Sequence, residues 1–204
     1  MGNGVWTAEI IPAEIQPPAR NAAGASGNRI RIASHQVTNW GDEDDLIVAF
    51  NEQVLLSRLE ENELRPGCIV ILEDMWRTDD DPEIAAAYAD TVEKLLAEKY
   101  RVYEVPMETE CLKYVPNPRR GKNMFVLGML SNIYSFDLEI AREQIAFVFA
   151  KKDASIIESN VQLLEGGFDW AESNLDIKFR IQPSDVNRPP AVVNPFPPLG
   201  LVVI

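Results

Sequence analysis

The sequence predicts an α/β domain built on a mostly parallel central sheet, and three observations carry that prediction. Leu46-Ile47-Val48-Ala49-Phe50 and Cys68-Ile69-Val70-Ile71-Leu72 are continuous apolar runs, as expected of parallel strands covered on both faces. A third short strand is expected at residues 101–105. Helical patterns separate the three, at residues 51–61 (Val54, Leu55, Leu56, Leu59) and 83–99 (Ile84, Tyr88, Val92, Leu95). Strand–helix–strand–helix–strand calls for right-handed crossovers and parallel neighbours. The implied architecture is three-layered and Rossmann-like.

Each remaining element has its own signal. Asp81 is placed to cap the second helix and Pro82 suits its first position. Upstream, Arg29-Ile30-Arg31-Ile32-Ala33 alternates like a strand with one solvent face, after a flexible Ala/Gly/Ser segment at 22–27. Downstream, residues 123–134 are apolar nearly all round, the mark of a helix buried on every side. Asp137 caps a helix with the stripe Leu138, Ala141, Ile145 and Val148. Asp153 begins another, expected to end at Gly166-Gly167. A last strand is expected at 177–181. The domain is assigned to residues 1–182, and the proline-rich stretch 183–204, with its apolar end, to a linker or tail.

Composition excludes several classes. Nineteen basic against 32 acidic residues leave a net charge of −13, the wrong sign for a nucleic-acid surface. No apolar run approaches the ~18–20 residues of a membrane helix, and the first residues lack a signal peptide's pattern, so a cytoplasmic location is expected. Cys68, Cys111 and the sole histidine, His35, stand in unrelated surroundings and cannot form a zinc or iron–sulfur site. No serine or cysteine sits in a nucleophile elbow, and the Gly-rich dinucleotide fingerprint is absent, because Gly24-Ala25-Ser26-Gly27 precedes a strand.

Two sets of residues remain as candidates. Asn51-Glu52 and Glu73-Asp74 follow parallel strands, at the edge where such sheets bind ligands, although first-turn capping accounts for them as well and is the favoured reading. The segment 113–122 holds Lys113, Arg119, Arg120 and Lys122 with no acidic residue. It leads into the buried helix, whose free N–H groups favour a phosphate or carboxylate. Ion pairing to acidic loops explains the same cations equally well.

Several segments in order resemble one family. They are Pro12-Ala13-Glu14-Ile15-Gln16-Pro17-Pro18-Ala19-Arg20, Ala25-Ser26-Gly27, and Gly41-Asp42 with residues 45–51. Gly121-Lys122-Asn123-Met124 with Leu127-Gly128, then Phe149-Ala150-Lys151-Lys152, Asn160 and Gly166, continue the pattern. Together they resemble the gamma-type domain of thiamine-dependent 2-oxoacid:ferredoxin oxidoreductases. The match is most like the N-terminal part of the 2-oxoglutarate enzyme's alpha subunit, and it covers roughly residues 10–181.

The resemblance implies an enzyme that oxidatively decarboxylates a 2-oxoacid to its acyl-CoA and passes electrons through iron–sulfur clusters to ferredoxin. This domain would contribute packing and a coenzyme A environment at Arg119, Arg120, Lys122 and Asn123, with no catalytic residue of its own. Arg20, Asn51, Glu52 and Glu73 would stand at an interface or ligand edge. Thiamine diphosphate and the cluster would belong to partner subunits, so the isolated chain should be inactive and prone to self-association. Family members open with a strand and glycine-rich turn before the Pro-Ala-Glu-Ile segment, so that region is expected to be short or missing here. After Pro190 the family's Asn-Gly-Asn-type opening of the thiamine-binding half is expected, and Val193-Asn194-Pro195-Phe196 stands there instead, so an isolated or truncated domain is expected. The rival readings are a stand-alone α/β module for an anionic small molecule and a structural scaffold.

Overall fold

A computed structural model describes residues 3–10, 27–118 and 121–184. The chain divides into two compact units, one of Thr7–Arg29 and Asn39–Met107, the other of Met1–Trp6, Ile30–Thr38 and Glu108–Ile204.

The first unit holds the predicted sheet. Strands β3 (Asp44–Ala49), β4 (Leu64–Glu73) and β5 (Arg101–Val105) are parallel, in the order β3-β4-β5. Leu46 lies beside Ile69 and Ile69 beside Arg101. The crossovers are α1 (Glu52–Glu60) and α2 (Pro82–Ala97). Residues 68–73 of β4 are buried without a break, which explains their unbroken apolar run. One face of this strand, Cys68, Val70 and Leu72, packs with Leu55 of α1 and with Tyr88 and Leu95 of α2. At the start of β4 the register slips opposite Asp44 and Leu46. Pro66 and Gly67 sit there, the glycine at φ 77°, and they form the bulge that lets the ladder resume at Ile69.

The helix caps follow the sequence. Asn51 accepts from Gln53 N at 2.8 Å to open α1, and Asp81 accepts from Glu83 N at 2.9 Å to open α2, with Pro82 in its first turn. A short 3-10 turn, Met75–Thr78, follows β4, and its Trp76 indole donates to Phe50 O at 2.8 Å. Tyr88 donates to Glu104 Oε1 at 2.8 Å, tying α2 to β5. Burial, and then this bond, push the phenol well above its ordinary pKa.

The second unit is built on α4 (Lys122–Ile133) and α6 (Ala154–Asn174), joined by α5 (Leu138–Val148) and preceded by the short α3 (Met107–Cys111). No residue of α4 is exposed. Its contact with α6 is backbone on backbone. A Cβ on Gly128 would lie 1.9 Å from Leu164 O, and one on Gly167 would lie 1.9 Å from Phe125 O. Gly166 and Gly167 therefore do not stop α6, as their sequence position implied. They lie inside it: only hydrogen fits at Gly167 against the α4 backbone, and a Cβ on Gly166 would stand 2.5 Å from the Tyr114 hydroxyl. Arg142 of α5 reaches Glu165 of α6 at 2.7 Å and pairs with Glu139.

Three further expectations change. A seven-residue strand, β1 (Gly4–Ile10), precedes the Pro-Ala-Glu-Ile segment and pairs with β2 (Gly27–Ala33) in a sheet of their own. In β2 the solvent face is inverted: Arg29 is buried and Ile30 is 40% exposed. The reason is electrostatic, since Arg29 meets Asp44 at 3.0 Å and Glu63 at 3.3 Å, and Arg58 shares Glu63. Residues 177–181 are not a strand. They lack a ladder partner, and a bond from Phe179 N to Ile133 O at 2.8 Å holds the segment instead.

Candidate functional site

The basic segment begins just after α3 and runs into α4. Its lysines are held by α3. Lys113 pairs with Glu110 at 2.6 Å, and Lys122, only 12% exposed, pairs with Glu108 at 2.9 Å. The ammonium of Lys122 is thus not presented to solvent as an open anion-binding head. Asn123 lies in the first turn of α4, half-buried. Arg119 and Arg120 lie outside the described residues, as does Arg20. The helix opens at Gly121, which has no side chain with which to cap it, and Met124 N bonds back to Gly121 O at 3.0 Å. A Cβ on Gly121 would meet Leu163 at 2.8 Å, so glycine also brings this turn close to α6.

The sheet-edge residues divide by role. Asn51 is a helix cap, the reading favoured on sequence grounds. Glu52 and Glu73 are fully buried, at the carboxyl ends of β3 and β4. Glu52 Oε1 accepts from Gln53 Nε2 at 3.2 Å, and Glu73 Oε1 from Met75 N at 3.4 Å. The Oε2 atom of each is buried outside any hydrogen bond among the described residues. Their position matches the sequence expectation, but nothing in the sequence announced that both side chains would be sealed from solvent.

The thiols are ill suited to a cluster. Cys68 and Cys111 are both buried and neither is in a disulfide. Burial first, and then Asp44 and Asp45, push the Cys68 thiol up to about 12, whereas a cluster ligand must be a thiolate. Among the described residues no group of three or more His, Cys, Asp or Glu is placed to hold a metal ion. Among those residues, too, no helix is long and apolar enough to cross a membrane.

One cleft was missed in the sequence. It lies in the second unit, has a volume of about 660 Å³, and is lined by Tyr134, Phe136, Lys178, Phe179 and Arg180 among others. Tyr134 stacks on Phe136 at 5.6 Å and on Phe179 at 5.2 Å, each pair within 17° of parallel. Tyr134 and Phe179, 45 positions apart, carry no local signal of meeting.

The family model for pyruvate ferredoxin/flavodoxin oxidoreductase matches residues 13–170. The chain belongs to that family. Among curated proteins, the 2-oxoglutarate oxidoreductase subunit KorA of Mycobacterium tuberculosis is 32% identical over 179 residues, 84% of this chain and 27% of the relative. The ketoisovalerate oxidoreductase subunit VorA of Methanothermobacter marburgensis is 32% identical over 140 residues, 68% of this chain and 25% of the relative. The chain therefore spans about a quarter of the length of these relatives.

Solved structures agree on the fold. A 2-oxoglutarate:ferredoxin oxidoreductase from Magnetococcus marinus, with 2-oxoglutarate, coenzyme A and succinyl-CoA bound, superposes with TM-score 0.66 at 22% identity. The superposition covers 90% of this chain and 28% of that one. The gamma subunit of a keto/oxoacid ferredoxin oxidoreductase from Geobacter sulfurreducens gives 0.52 at 14% identity, covering 84% and 82%. The gamma-type domain read from the ordered motifs, and its α/β Rossmann-like fold, are the ones found.

Proposed function

We propose that the chain is the gamma-type component of an enzyme that oxidatively decarboxylates a 2-oxoacid, 2-oxoglutarate in the first instance, to its acyl-CoA with reduction of ferredoxin. The observation that carries the reading is the family match over residues 13–170, with KorA as a relative over 84% of the chain. The component works with partner subunits that hold thiamine diphosphate and the iron–sulfur cluster, since Cys68 and Cys111 are buried thiols. When bound there, those groups supply the decarboxylation and electron transfer.

This chain's part is to shape the coenzyme A environment at the N-terminal end of α4. Arg119, Arg120, Asn123 and the first-turn donors of α4 would hold a phosphate of the coenzyme. Lys122 contributes less, because Glu108 already compensates its charge. Arg20, Asn51, Glu52 and Glu73 belong in this reading to an interface or ligand edge.

Co-purification tests the assembly. A tagged chain expressed in its native host should bring down subunits carrying thiamine diphosphate and a cluster. That complex should reduce a viologen dye with 2-oxoglutarate and coenzyme A, faster than with pyruvate or a branched 2-oxoacid. A chain recovered without such partners would overturn the proposal. Within an active complex, replacing Arg119 and Arg120 by alanine should raise KM for coenzyme A about tenfold or more, the equivalent of ~1.4 kcal/mol. An unchanged KM with lowered stability would make the arginines structural.

A further inference from the structure

We propose that the cleft at the carboxyl end of α4 binds a nucleotide whose base carries an amino group. It lies about 16 Å along the helix from the N-terminal turn discussed above, so the two sites are separate.

The aromatic wall supplies the base-binding surface. Phe136, Tyr134 and Phe179 share nearly one ring orientation, and both phenylalanines are only half-buried. A planar heteroaromatic ring extends such a column with an offset stack. The backbone is arranged for it. Ser135 adopts φ 55° just beyond α4, with its N–H bonded to Asn132 O and that of Phe136 to Ser131 O. This left-handed turn, unusual for a residue that is not glycine, folds Phe136 back against Tyr134.

Two polar groups set the rest of the ligand. The amide nitrogen of Asn3 donates to Ala33 O at 3.2 Å and to Gln182 O at 2.7 Å. Its remaining group is the acceptor Oδ1, which selects a donor such as an exocyclic amine. Lys178 is fixed by Asn132 Oδ1 at 2.6 Å and Glu172 at 2.7 Å, and it also reaches Asn132 O near the negative end of α4. Lys178 and Glu172 cancel. Arg180 is exposed, has no ion pair among the described residues, and leaves the cleft a net positive charge for a phosphate. The volume falls within the range usual for small-molecule sites, roughly 300–1,000 Å³.

The test uses the full chain and four probes. Calorimetric titration should show saturable binding of AMP. IMP, which lacks the amine, adenosine, which lacks the phosphate, and ribose 5-phosphate, which lacks the base, should each bind at least tenfold more weakly. Arg180→Gln, at an exposed position where circular dichroism should report an unchanged fold, should reduce AMP affinity to that of adenosine. Amide shifts at Phe136 and Phe179 should locate the ligand, and Lys122→Ala should leave binding unchanged. No saturation by 10 mM AMP would overturn the proposal. So would equal affinity for AMP and ribose 5-phosphate, or loss of binding through Lys122. The four probe affinities decide it on the unaltered chain, independently of whether the enzyme assembly forms.

Discussion

Replacing Gly167 by alanine tests the contact on which the second unit is built. The added Cβ would stand 1.9 Å from Phe125 O, whereas ordinary contact begins at 3.4 Å, so the helices must separate locally by 3.4 − 1.9 = 1.5 Å. The obstacle is backbone, which has no rotamer with which to yield. Opening a packed interface by 0.5–1 Å already forfeits a quarter to a half of each contact's attraction. Overpacking typically costs about 1–3 kcal/mol, and alanine's better helix propensity returns about 1. Because backbone rather than side chain must move, the cost falls at the upper end, about 3 kcal/mol, and we expect a net loss of about 2 kcal/mol. In urea, with a slope of about 1–3 kcal/mol/M, that lowers the midpoint by roughly 1–2 M. Gly128→Ala should behave alike, since its Cβ would lie 1.9 Å from Leu164 O. The double variant should lose less than the sum, because one separation accommodates both methyl groups. Gly27→Ala is the control, with nothing within 4 Å of its Cβ. A neutral or stabilised Gly167→Ala, with propensity winning, would refute the backbone contact between α4 and α6.

Three other outcomes follow from particular residues. Lys99 is exposed at φ 65°, a left-handed position after α2, so Lys99→Gly should stabilise the chain by up to about 1 kcal/mol in urea titration; a loss would show that its side chain holds the turn. The Cys68 thiol, raised from 9.0 to about 12 by burial, holds about a thousandfold less thiolate at pH 8 than an ordinary cysteine and should resist iodoacetamide until the chain unfolds. Since the folded state keeps this proton longer, its contribution to stability is complete below pH 9 and falls as pH rises toward 12, a fall that Cys68→Ala should flatten. Glu172 is the opposite case. Lys178 and Asn132 hold its carboxyl below the usual range, so its small contribution is present above the ordinary carboxylate pKa and is lost as pH falls through the depressed one, and Glu172→Gln should reduce the acid-side slope of stability.

What could be read in advance was what depends on neighbours in sequence. Residues 46–50 and 68–72 declared buried parallel strands because each position must be apolar when both faces are covered, and Asp81-Pro82 declared a helix start within two residues. Arg29 misled because its carboxylates, Asp44 and Glu63, lie on other elements, and a buried arginine looks like a solvent-facing one until they are in place. Gly166-Gly167 misled for the same kind of reason, as what they fit against, the Tyr114 ring and the backbone at Phe125, lies some 40–50 residues earlier. β1 gave little pattern, since Val5, Trp6 and Thr7 are all exposed and no alternation was imposed on them. At the candidate site the helix start and Asn51's cap were legible. The pairing of Lys122 with Glu108 was not, because it depends on how α3 is placed.

The interleaving of the two units orders their birth. Once Met107 has been synthesised, every segment of the sheet-bearing unit exists, whereas Met1–Trp6 and Ile30–Thr38 still await the helices that begin after it. At about 5–20 residues per second, the 174 − 107 = 67 residues through the end of α6 take roughly 3–13 s to be made. Through that interval Val5, Trp6 and Ile32 belong to a unit whose helical half has yet to leave the ribosome, long enough for a nascent-chain chaperone to cover them and for a paused ribosome to leave them uncovered.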